Sequence, residues 1–267
     1  MPRADYAREM DSIDQLKNIV TRLRGPDGCP WDQEQTHESI RSQLLEECYE
    51  ALEAIDEKND VLLKEELGDV LLHIVFHAEL AEERGAFVLD DVAKGISDKL
   101  VRRHPHVFGE DKLTTSDQVL QRWDELKKNE KPERKGALDG VPTALPALMK
   151  AQEIQKKAAK VGFDWKELRP VLAKVREELA ELEKDLVDRE KAADELGDLL
   201  FSVVNVARHL KLDAEQCCRD ATSKFTQRFL SVERLAEAQG VKMGDLSLGE
   251  LDLLWEQAKN QKISSPT

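Results

Sequence analysis

Apolar residues recur along this chain at helical intervals. Ile13, Leu16, Ile19, Val20 and Leu23 fall at three- and four-residue steps, and so do Leu44, Leu45, Tyr49, Leu52 and Ile55. The spacing predicts helices over 12–24, 37–57, 60–84, 89–103 and 116–129. A second set is predicted over 146–160, 167–187, 190–209, 213–238 and 247–260. Long alternating β-branched runs are absent, so the expected fold class is all-α, with no sheet. The stretch 128–146 between the sets holds three prolines, two glycines and dense charge, as a linker does. This divides the chain into a helical domain over 1–130, a linker over 131–145 and a second helical domain over 146–267. Each domain is expected to hold four to five helices.

The two sets look like copies of one unit. EELGDVLLHIV from Glu65 matches DELGDLLFSVV from Asp194, and EECYE (Glu46 to Glu50) matches EELAE (Glu177 to Glu181). GCPWD (Gly28 to Asp32) echoes VGFDW (Val161 to Trp165), and Lys99 and Arg103 match Lys224 and Arg228. LQRWDELKKNEK, ending at Lys131, matches LDLLWEQAKNQK, ending at Lys262. The order is the same throughout, at offsets of about 125 to 133 residues, as an internal duplication requires.

The copies concentrate carboxylates. At about 100° per residue, Glu177, Glu178 and Glu181 share one helix face, and Glu195 and Asp198 share a face of the next helix. Gly197 lies between the last two. A glycine inside a helix costs about 1 kcal/mol relative to alanine, so close approach of a neighbouring helix is the expected reason for it. If the two helices pack antiparallel, four or five carboxylates converge. A single EExxE is ordinarily a solvated face, but two EExxE…ExxD sets within a repeat indicate a cation site. Hard oxygen ligands select Mg²⁺, Mn²⁺ or Ca²⁺ over zinc, and Mg²⁺ pairs a few carboxylates with substrate phosphates. The first copy keeps the four carboxylates as Glu47, Glu50, Glu66 and Asp69.

Charge and composition narrow the partners. The chain has 267 residues and a formal net charge of −14, which disfavours nucleic acid and anionic membranes. The longest apolar stretch, near Val70 to Leu80, is broken by His73, His77 and Glu79, so no membrane span is expected. The start, MPRADYAREMDS, lacks the apolar core of a signal peptide. Cys29, Cys48, Cys217 and Cys218 form no CxxC pair, which favours a reducing, cytoplasmic setting. His73 and His77, on an apolar helix, read as core residues more readily than as ligands of a softer metal.

At these motifs the chain resembles the MazG family of all-α nucleotide pyrophosphohydrolases. EExxE followed by ELGD carries the resemblance, with GCPWD, RRHPHVF (Arg102 to Phe108), LPALMKAQEIQKKA (Leu145 to Ala158) and VGFDW, over about Ile13 to Lys259. The resemblance implies Mg²⁺-dependent hydrolysis of standard or modified nucleoside triphosphates between the α and β phosphates, in a helical homodimer. By motif position Glu178, Glu181, Glu195 and Asp198 are the expected metal ligands, with Glu177 left to orient or deprotonate the attacking water. Lys224 and Arg228, one turn apart, are candidates to clamp the triphosphate, and Trp255 to stack on a base. Lys191, where the first copy has Leu62, is a candidate phosphate ligand. Asn205, where it has Phe76, is a candidate for a sugar or base. The C-terminal half is therefore the expected main catalyst. The alternative is a regulatory protein that senses nucleotide or metal without turnover.

Overall fold

The computed structural model of the chain describes residues 11–130 and 136–260. Of the expected linker, residues 131–135 lie outside these. So do the start of the chain through residue 10, and Lys131 and Lys262, the ends of the last repeat match. The chain forms two compact units, Met1–Glu130 and Lys131–Thr267. No strand occurs among the described residues.

Unit 1 holds α1 (Ser12–Arg24), α2 (Pro30–Glu34), α3 (Arg41–Asp56), α4 (Asp60–Glu83), α5 (Leu89–Arg103), α6 (Pro105–Phe108) and α7 (Ser116–Glu130). Side-chain caps start two of the long helices: Asp11 accepts from the Ile13 N–H and Asn59 from the Leu62 N–H. α3 packs along α4, and α1 crosses α4. Val20 of α1, Ile40 just before α3, and Val75, Phe76 and Leu80 of α4 form the buried cluster of the unit. α3 begins at Arg41 and not at 37, because Thr36 and Ser39 bond reciprocally, side chain to backbone, and hold a turn there. In the GCPWD segment a Cβ on Gly28 would collide with the carbonyls of Arg22 and Leu23, so the chain can fold back on the end of α1 only with glycine at this position.

Unit 2 holds α8 (Ala147–Lys160), α9 (Leu168–Asp185), α10 (Arg189–His209), α11 (Ala214–Ala238) and α12 (Leu248–Asn260), with a 3₁₀ turn at Met243–Asp245. The plan of unit 1 returns: α9 packs along α10, and α8 crosses it. Asp188 caps α10 through the Glu190 and Lys191 N–H groups, and Asp213 caps α11 through the Gln216 N–H. Two buried glutamines fix α8. Gln155 donates to the Phe201 carbonyl of α10 at 2.8 Å, and Gln152 donates to the Leu212 carbonyl at 2.8 Å. Val232, Ala236, Leu254 and Ala258 join α11 to α12. Leu196, Leu200, Val203, Phe225 and Phe229 remain exposed.

One expectation fails. Neither Gly197 nor its counterpart Gly68 is approached by a neighbouring helix, since a Cβ on either would meet nothing within 4 Å. These glycines stand beside open space and not beside packed backbone.

Candidate metal and nucleotide site

Two helical hairpins bring the carboxylates together. In unit 2, Glu178 from α9 and Glu195 and Asp198 from α10 each offer an oxygen within 4.8 Å of the others. In unit 1 the same holds for Glu47 from α3 and Glu66 and Asp69 from α4. Oxygens on one cation with bonds of about 2.0–2.6 Å lie at most about 4–5 Å apart, so both groups have the spacing and hard-oxygen chemistry of a divalent cation site.

The electrostatics show the strain of assembling these groups in one place. Burial pushes the Glu195 carboxyl up from its ordinary range, and Glu181, Glu178, Asp185 and Asp198 push it further. Burial likewise raises Glu66, and the nearby carboxyls of Glu50, Asp69 and Glu47 push it further. Glu47 is raised by burial, Glu50 and Asp69, and His73 partly offsets this from 3.9 Å. Glu178 is only 4 % exposed and has a cation of its own, because Lys174 one turn earlier lies 2.6 Å from it and 2.8 Å from Glu177. These two contacts hold the Lys174 ammonium well above its usual range.

Behind the second group opens a cavity of 740 Å³. Glu178, Asp198 and Lys174 line it on one side, and Phe163, Trp165, Ile154 and Val171 give apolar wall. Asn205 and Arg208 are also part of its lining. Arg208 donates to Asn205 and to Asp164, and His209 meets the same Asp164 oxygen at 3.1 Å. Burial works to raise Asp164, but the bonds from Arg208 and His209 outweigh it and leave the carboxyl below its usual range.

The corresponding space in unit 1 is built differently. Phe76 stands where unit 2 has Asn205, with the Arg24 guanidinium 5.2 Å over its ring. Arg24 is itself held by both oxygens of Glu83, at 2.6 and 2.8 Å. His73 faces Glu47, while His77 stacks on His37 with ring centroids 5.1 Å apart.

A family model for the MazG nucleotide pyrophosphohydrolase domain matches this chain twice, over residues 35–108 and 166–232. The chain belongs to the MazG family. The two matches contain the two carboxylate hairpins, so each MazG unit carries one acidic group. A MazG relative from Thermotoga maritima, a nucleoside triphosphate pyrophosphohydrolase/pyrophosphatase, is 48 % identical over 92 % of this chain and 95 % of its own. The nucleoside triphosphate pyrophosphohydrolase of Escherichia coli K12 is 46 % identical over 95 % of this chain and 99 % of its own. The YabN protein of Bacillus subtilis is 47 % identical over 94 % of this chain but 52 % of its own length.

Within the second MazG unit the expected site residues separate into two sets. Glu178, Glu195, Asp198 and Asn205 gather at the acidic group and its cavity, and Glu181 acts on Glu195 through space. Glu177 is exposed and paired with Lys174. Lys191 turns toward Asp188 at 3.7 Å. Lys224 and Arg228 lie on α11 and Trp255 packs on Phe225, and none of the three lines the cavity of its own unit. In the first unit Glu50 acts on Glu66 and Glu47 from beside the other carboxylates. Lys174, Asp164, Arg208 and the cavity aromatics Phe163 and Trp165 were not singled out by spacing. VGFDW was legible as a motif, but which of its side chains face a cavity depends on how α8 and α10 cross.

Proposed function

We infer that this protein is a nucleoside triphosphate pyrophosphohydrolase whose C-terminal unit is the main catalyst. It hydrolyses standard or modified triphosphates to the monophosphate and pyrophosphate, and so cleans or regulates the nucleotide pool. The observation that carries this reading is the convergence of Glu178, Glu195 and Asp198 at the edge of a cavity with aromatic walls. Glu178, Glu181, Glu195 and Asp198 would hold Mg²⁺, or Mn²⁺ in its place. Once bound, the cation supplies charge neutralisation on the phosphates and lowers the pKa of water.

The remaining steps belong to side chains. Water adds to phosphorus at the α–β bridge, the bridging P–O bond breaks, and its electron pair leaves with one phosphate product. Glu177, exposed beside Glu178, takes the proton of the attacking water. Lys174 neutralises Glu177 and Glu178 before substrate arrives. Phe163 and Trp165 offer faces on which a base can stack. The exposed apolar faces of α10 and α11 favour a homodimer, whose formation would bury Leu196, Leu200 and Phe225. Lys191, Lys224, Arg228 and Trp255 are assigned to the triphosphate and base within that assembly. The four thiols are unpaired, which favours a cytoplasmic setting. No helix among the described residues is long and apolar enough to cross a membrane.

A second reading applies to unit 1. Its carboxylates Glu47, Glu50, Glu66 and Asp69 are retained, but Phe76 and Arg24 replace the polar wall of the cavity. Unit 1 therefore binds metal or senses nucleotide without turnover. Release of monophosphate and pyrophosphate from a panel of triphosphates with Mg²⁺ tests both readings. Glu178→Ala removes a direct ligand and is expected to reduce turnover by at least the roughly 10- to 100-fold that loss of an outer-shell partner costs, and Glu47→Ala to leave most of it. Equal losses would put catalysis in both units. No turnover by folded wild-type protein would leave the sensor reading.

A further inference from the structure

Asn205 lines the cavity of unit 2, and its amide can face only one way. Arginine carries hydrogen-bond donors and no acceptor. Two of the Arg208 donors, Nε at 2.9 Å and Nη2 at 2.7 Å, end on Asn205 Oδ1. A flipped amide would set its NH₂ against these donors and lose both bonds. Arg208 is anchored in turn, with Nη2 2.5 Å from Asp164 Oδ1, the oxygen that His209 also meets. Asn205 therefore has Nδ2, a pair of N–H donors, left for a ligand. Of its neighbours in the lining, Ser202 and Gln155 are each only 7 % exposed, and the Ser202 hydroxyl donates to the Leu199 carbonyl at 2.9 Å.

We propose that Arg208, held by Asp164, is a positioning residue that locks Asn205 as a donor, so that the site favours triphosphates whose base presents a keto oxygen over those presenting an amino group. The substrate class is thus the keto bases, including bases formed when an amino base loses its exocyclic nitrogen to hydrolysis. This rests on the pyrophosphohydrolase reading for its substrate, but the recognition itself does not need turnover.

Two nucleotide pairs isolate the contact. ITP and ATP differ in keto for amino at one carbon, with the adjoining ring nitrogen changed to N–H, and UTP and CTP differ in the same way. In the wild type, kcat/KM is expected to favour ITP over ATP and UTP over CTP by about 3- to 10-fold, the size of one neutral hydrogen bond. Asn205→Asp keeps the acceptor for Arg208 but presents a second acceptor to the cavity, and should reverse both ratios. Arg208→Gln carries both donor and acceptor, frees the amide to flip, and should bring both ratios toward one. Arg208→Lys, again all donor, should retain them. A residue needed only for folding would lower all four values together and leave the ratios unchanged.

Calorimetry of the same four nucleotides with Ca²⁺ reads the preference as Kd, without turnover. Equal Kd values in the wild type, or ratios unmoved by Asn205→Asp and Arg208→Gln in variants that melt normally, overturn the proposal. Absent turnover with ITP still bound more tightly than ATP would overturn the enzyme reading and leave this one standing.

Discussion

At the scale of single residues, the carboxylates and their cations decide the chemistry. Glu178 is almost fully buried and Lys174 neutralises it. Lys174→Ala should therefore destabilise metal-free protein by about 1–3 kcal/mol, the cost of leaving a charged buried group without its hydrogen bond. Mg²⁺ should restore most of the loss, as read by urea melts in EDTA and in excess Mg²⁺. The raised carboxyls give a pH signature. Glu47, Glu66 and Glu195 hold protons more tightly in the folded chain than in the unfolded one. Their contribution to stability is complete below the ordinary glutamate value of about 4.3 and is lost as pH rises through the raised folded values. In EDTA the melting temperature should fall toward neutral pH, and Glu66→Gln or Glu195→Gln should flatten that fall. A curve with the same slope in the variants would show that these groups do not set it. The carboxylates were legible in the sequence because i, i+1, i+4 spacing on one helix and i, i+3 on the next survives any reasonable packing. The Asp164–Arg208–Asn205 chain was not, because it joins the loop after α8 to the last turns of α10.

At the scale of elements, periodicity located the long helices because each buries one apolar stripe. It missed α2 and α6, of five and four residues, since less than two turns cannot display a 3.6-residue repeat. Their signal was local: each opens on a proline, Pro30 or Pro105, at the first helical position. The start of α10 depends on its cap. Asp188 accepts from the Glu190 and Lys191 N–H groups at 3.2 and 3.4 Å, so Asp188→Ala should cost about 1 kcal/mol. Because Glu195 and Asp198 lie two to three turns further along, a frayed start should also weaken Mg²⁺ binding, which titration calorimetry can measure.

At the scale of the whole molecule, one hairpin design is used twice and filled in two ways. The carboxylate groups of the two units are alike, while the walls differ at Phe76 and Asn205. A chain with two such groups should take up cation in two phases of unequal strength, and Glu47→Ala should delete one phase while Glu178→Ala deletes the other. The duplication was visible from five matched segments, whereas the filling of one wall by Arg24 was not, because it depends on where a side chain from α1 comes to rest. The bare backbone at Gly68 and Gly197 has its own consequence. Each glycine weakens its helix by about 1 kcal/mol relative to alanine, and nothing in the chain crowds the missing methyl. A single methyl at position 197 is then a ruler for whatever docks beside the acidic group. If Gly197→Ala melts higher yet works more slowly, the strip is a landing surface kept smooth for a second body. If it melts higher and works as well, the strip is idle.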